Sequence, residues 1–149
     1  MTVSLQPGNV IKYDYLWNVE AELGKSIGLK DRPCAVVLTM DTKNADGRTF
    51  QKIYIAAITH TAPATENKTT GIRIPGRVAE YLGLDDQPQW IITSELNSFD
   101  LFPGTVPLGL VPAVTDQYIY GSLPDALYVE LFKTIKENLH KIGAVTDRG

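Results

Sequence analysis

The sequence predicts a mainly β protein of the α+β class, a small barrel-like sheet with one short helix and a C-terminal amphipathic helix. Three observations carry that expectation. The run Cys34-Ala35-Val36-Val37-Leu38 contains no polar residue, which fits a strand buried on both faces, since a half-exposed strand alternates polar with apolar. Around it lie several short runs rich in β-branched and aromatic residues, separated by Gly, Pro, Asn and Asp. Only near the C-terminus does the apolar spacing lengthen to four, through Leu127, Leu131, Ile135 and Leu139.

The elements follow in order. Pro7-Gly8-Asn9 is a turn signal leading into Val10 to Trp17, where residues alternate as a strand requires. Asn18 to Asp31 is polar, with one or two helical turns near Val19 to Leu23, and is long for a connection. Pro33 opens the central strand at the position where a missing N–H costs least. Asn44-Ala45-Asp46-Gly47 turns the chain into a long strand from Phe50 to Ile58. A polar loop from Ala62 to Thr70 precedes an edge strand, Gly71 to Pro75, and a short helix over Pro75 to Gly83. Trp90 to Leu96 is a further strand, continued past a bulge by Asn97 to Phe102. Pro103 to Pro112 holds three prolines and two glycines and reads as a packed loop. Tyr118 to Gly121 is the last strand. Ser122-Leu123-Pro124-Asp125 matches a capping box for a helix over Leu123 to Lys141, ended by Gly143 and followed by a frayed tail.

A length of 149 residues fits one domain, with enough chain to bury a core without staples. One cysteine, Cys34, excludes an internal disulfide, and its apolar neighbours favour an inert buried thiol. No apolar run reaches membrane-spanning length, and Met1 to Pro7 lacks the pattern of a signal peptide, so a cytoplasmic location without membrane contact is expected. Net charge is −3 with pI near 5.3. That balance argues against a broad basic nucleic-acid surface and leaves room for a local one.

Two histidines and one cysteine cannot build a Cys/His zinc site, and the glycine spacing fits no phosphate loop, so neither a metal nor a cofactor is expected. His140, near the end of the amphipathic helix, reads as a favourable partner of the helix dipole. The remaining polar residues at strand ends are Arg32, Thr59, His60 and the group Glu95, Asn97 and Asp100. An arginine, a hydroxyl and an imidazole at one rim suit a phosphodiester. RNA carries its own nucleophile, so the protein need only position the 2′-OH, move its proton and stabilise the charged phosphorane. Arg32 has the fork that matches phosphate oxygens, Thr59 can donate to them, and His60 belongs to the residue type that ordinarily titrates near neutrality. Lys30, Thr61, Glu95 and Asn97 are the candidate substrate-binding side chains. The structural alternative pairs Arg32 with Asp31 or Asp14, makes Thr59 a strand-end cap and leaves His60 as an exposed loop residue.

Pro7-Gly8-Asn9-Val10-Ile11, Arg32-Pro33-Cys34-Ala35-Val36-Val37, Ile58-Thr59-His60, Thr93-Ser94-Glu95-Leu96-Asn97 and Tyr120-Gly121-Ser122-Leu123 together resemble the MazF/PemK family of toxins from bacterial toxin–antitoxin pairs. The resemblance implies an SH3-like barrel, a homodimer, and a metal-independent, sequence-selective endoribonuclease. It puts Arg32 and Thr59 on the family's catalytic arginine and Ser/Thr, and it implies an antitoxin protein as partner. A competing expectation is a non-catalytic module of the same fold that engages a protein partner, motivated by the acidic net charge and the apolar loop from Pro103 to Pro112.

Overall fold

A computed structural model describes residues 3–28, 30–64, 69–138 and 144–149. The chain is mainly β, with nine strands and three short helices among the described residues. In order they are β1 (Asn9–Tyr13), α1 (Asn18–Glu22), β2 (Arg32–Lys43), β3 (Thr49–Thr59), β4 (Gly71–Ile74), α2 (Gly76–Tyr81), β5 (Gln89–Ile92), β6 (Glu95–Leu101), β7 (Leu110–Val111), β8 (Ile119–Ser122), α3 (Asp125–Glu137) and β9 (Ala144–Asp147). The hydrogen-bonded path runs β4-β5-β3-β2-β1-β7, with β6 also on β3, β8 also on β1, and β9 on the outer edge of β6. All described pairings are antiparallel except β6 with β9.

The unbroken apolar run in β2 has a direct cause. Ala35 and Val37 face one core cluster with Val10, Ile58, Leu82 and the buried side of α3. Cys34 and Val36 face a second cluster with Ile11, Tyr13, Tyr15, Ile55 and Phe99. Each face of the strand is covered, so alternation would leave a polar side chain in one core or the other. At Val37 a register shift interrupts the β2–β3 ladder, and past it Leu38 and Met40 emerge at the surface.

Several boundaries differ from the sequence reading. β1 stops at Tyr13 rather than Trp17, because Tyr15 and Leu16 leave the ladder to bury their side chains while Asn97 hydrogen-bonds the Leu16 backbone in both directions. The run from Trp90 is two strands, β5 and β6, which pair with different stretches of β3. Leu110–Val111 forms a two-residue edge strand inside the proline-rich loop. The capping box is not used. Pro124 is the N-cap of α3 without a side-chain cap, and the Ser122 hydroxyl accepts from Asn9 Nδ2 at 2.9 Å as part of β8. The tail is not frayed over its last residues. β9 pairs parallel to β6, and Arg148 donates to the Asp14 carboxylate at 3.2 Å, the Ser26 carbonyl at 3.1 Å and Asn97 Oδ1 at 3.2 Å. The proposed helix end at Lys141, its stop at Gly143, and His140 lie outside the described residues.

Among the described residues, no helix is long and apolar enough to cross a membrane.

Candidate functional site

The antiparallel register sets the site. β2 and β3 pair from Lys43↔Thr49 to Cys34↔Ala57, and just past that last pair stand Arg32, the first residue of β2, and Thr59, the last of β3. On its other side Arg32 is paired with Tyr13 of β1. Strand alternation puts Arg32 on the face of Cys34 and Val36, and Thr59 on the face of Ile55 and Ala57, so the two side chains share one face at the end of the ladder. His60 follows directly where β3 ends.

Arg32, Thr59, His60, Thr61 and Lys30 all line one cavity of about 380 Å³, joined by Lys12, Asp31 and Asp85. Lys12, Lys30 and Arg32 thus concentrate three cations at one opening of an acidic protein. Thr59 Oγ1 accepts from the Thr61 N–H at 3.2 Å, which fixes the turn leaving β3. His60 Nε2 lies 2.9 and 3.0 Å from the two carboxylate oxygens of Asp85. Asp85 is held in turn, because its Oδ1 accepts from the Gln87 N–H at 3.0 Å and from Gln89 Nε2 at 2.7 Å. Gln89 is buried on β5, so the carboxylate rests on a fixed element.

Arg32 has a second environment. Its guanidinium carbon stands 5.0 Å from the Trp17 ring centroid, a cation–π contact, while its buried Nε has no hydrogen-bond partner. Trp17 packs edge-on against Tyr15 at 4.9 Å. The Trp17 N–H donates to Glu20 Oε1 at 3.0 Å, and Glu20 Oε2 is buried without a partner. Arg32 Nε at the start of β2 and Glu20 Oε2 in α1 are thus two buried polar atoms left unpaired. An unmade bond of this kind costs about 1–3 kcal/mol.

Asp14, one suggested partner for Arg32, is instead engaged by Arg148. Glu95 and Asn97 are not among the residues that line the cavity. Glu95 accepts from the Asn18 N–H at 2.9 Å and the Tyr15 hydroxyl at 3.4 Å, which anchors the start of α1. Burial raises its carboxyl above the ordinary range against those two hydrogen bonds, and the carboxylates of Glu20 and Glu22 push the same way. Asn97 is fully buried, with its amide spent on the Leu16 backbone and its Oδ1 also on Arg148. Both lie in a strand end that reads as a polar rim in the sequence but is covered by the Tyr15–Asn18 segment. Asp100, the third of that group, pairs with Lys52 at 3.1 Å. Sequence reading passed over Trp17, Lys12 and Asp85. Asp85 carried only a turn signal, and its pairing with His60 across 25 residues has no local signature. Cys34 is fully buried, and burial pushes its thiol well up, away from nucleophilic use. Among the described residues no group of three or more His, Cys, Asp or Glu side chains is arranged to hold a metal ion.

No protein-family model matches this chain, and comparisons with curated proteins and with solved structures likewise find no match.

Proposed function

We propose that this protein is an endoribonuclease acting on single-stranded RNA without a metal ion, of the MazF/PemK kind. The observation that carries this reading is one cavity lined by Arg32 from the start of β2 and Thr59 from the end of β3 together with His60, Lys12 and Lys30. In this reading the cations draw in the phosphodiester, and Arg32 neutralises the charge that grows on the phosphorane oxygens. Thr59 donates a hydrogen bond to the same oxygens. His60 takes the 2′-OH proton as that oxygen attacks phosphorus and the 5′-oxygen leaves. The reading brings with it the SH3-like barrel, the homodimer and the antitoxin partner that the sequence resemblance implies.

The test is incubation of the purified protein with mixed-sequence RNA in EDTA. Wild type is expected to cut. Arg32→Ala is expected to cut about 10²–10³-fold more slowly, the usual cost of removing one donor to a developing oxyanion. Equal cutting by Arg32→Ala, or intact RNA from folded wild type, sinks the reading. The second reading, a non-catalytic module that engages a protein partner, draws on Leu108, 95 % exposed in the proline-rich loop. A stable protein complex formed by wild type that leaves RNA uncut favours it.

A further inference from the structure

Resting on the nuclease reading, we infer that Asp85 is a positioning residue that fixes the tautomer of His60, so that Nδ1 is the nitrogen that accepts the 2′-OH proton. The hydrogen bonds around Asp85 favour this order. Asp85 Oδ1 already accepts from the Gln87 N–H and from Gln89 Nε2. A carboxylate oxygen holding two N–H donors is an acceptor, so the proton between Asp85 and His60 Nε2, at 2.9–3.0 Å, sits on the imidazole. In the neutral ring the lone pair is then on Nδ1. The charged and titratable groups that share its cavity are Lys12 of β1, Lys30 and Asp31 just before β2, Arg32 at the start of β2, Tyr120 of β8, and Asp85. Asp85, in contact with Nε2, is the carboxylate that faces the imidazolium formed as the reaction proceeds. The step balances. The bond from the 2′-oxygen to phosphorus forms, the bond from phosphorus to the 5′-oxygen breaks, the 2′-OH proton passes to Nδ1, and the 5′-oxygen takes a proton from water.

Asp85 comes from the turn between α2 and β5, and His60 from the end of β3. The pair forms only because β3 and β5 are neighbours in the sheet, with Thr59 paired to Trp90. Gln89 of β5 then braces the carboxylate from a buried position.

The experiment joins imidazole ¹⁵N NMR, which reports the tautomer without reference to activity, to the pH–rate profile of RNA cleavage. His60→Gln assigns the His60 signals against those of His140. Wild type is expected to carry the Nε2–H form at His60. Asp85→Asn should move the ring toward a tautomer mixture, lower kcat by about 10²-fold, leave KM nearly unchanged and shift the acidic limb of the profile. Asp85→Glu should restore part of kcat. A wild-type ring in the Nδ1–H form, or an Asp85→Asn enzyme with unchanged kcat and acidic limb, overturns the inference even where RNA is cut. Uncut RNA from wild type with the ring in the Nε2–H form overturns instead the nuclease reading on which the catalytic role rests.

Discussion

At the scale of single residues, neighbouring strand-end groups have divided into two kinds. Arg32, Thr59 and His60 line a cavity, while Glu95 and Asn97 hold backbone, and the difference lies in which segment covers each strand end. Glu95 shows the cost of being covered. Its carboxyl titrates above the ordinary 4.5, with burial as the main cause. The folded state therefore holds that proton more tightly than the unfolded chain, and stability falls as pH rises through the window from 4.5 to the raised value. Gln at this position keeps an acceptor for the Asn18 N–H and removes the titration. Glu95→Gln is expected to gain stability relative to wild type as pH rises through that window and to hold the gain above it. Urea midpoints from about pH 4 to about pH 7 read this directly. A difference that is flat across the range refutes it.

At the scale of elements, β2 does two jobs because its two halves lie in different surroundings. The half from Cys34 to Val37 is core on both faces, and this rigidity holds Arg32 at its N-terminal end. The half beyond Val37 pairs with β3 and exposes Leu38 and Met40. α3 follows its amphipathic spacing closely: Leu127, Leu131 and Ile135 are buried, while Val129 is 60 % exposed. Leu131→Ala is expected to cost about 2–5 kcal/mol, because it empties a fully buried site. Val129→Ala on the outer side should fall within about 0.5 kcal/mol of wild type. Equal urea midpoints for the two variants would show that α3 does not pack on the sheet as described. α1 is the contrary case, a five-residue helix whose N-cap Trp17 stacks on Arg32, with Arg32 Nε and Glu20 Oε2 left unpaired. Its polar sequence carried the signal of a functional connection without saying which residue it would touch.

At the scale of the whole molecule, the net charge of −3 sits beside a cavity with three cations, Lys12, Lys30 and Arg32. Under the nuclease reading these set the footprint on the phosphate backbone. Three neutralised phosphates on a single strand give a slope of about −2 for log affinity against log salt. Binding of an uncleavable 2′-O-methyl RNA across a salt series measures it. A slope steeper than about −5 would require a basic surface much wider than this cavity.

The sequence by itself determined the β-rich class, the doubly buried central strand, the long strand read from Phe50 to Ile58, and the C-terminal amphipathic helix. Each is written in a local period or an unbroken apolar run, and local sterics and burial enforce those directly. It also marked Arg32, Thr59 and His60, because each stands where an apolar run meets polar chain. Only the tertiary structure decided which strand ends open onto the cavity. The pairing of β2 with β3 leaves Arg32 and Thr59 on one cavity, and the β3–β5 neighbourhood brings Asp85 to His60. The Tyr15–Asn18 segment buries Glu95 and Asn97, and β9 becomes a strand by pairing with β6. These are contacts between residues far apart in the chain. They depend on how strands pair and what lies over their ends, and no local pattern of residues records either.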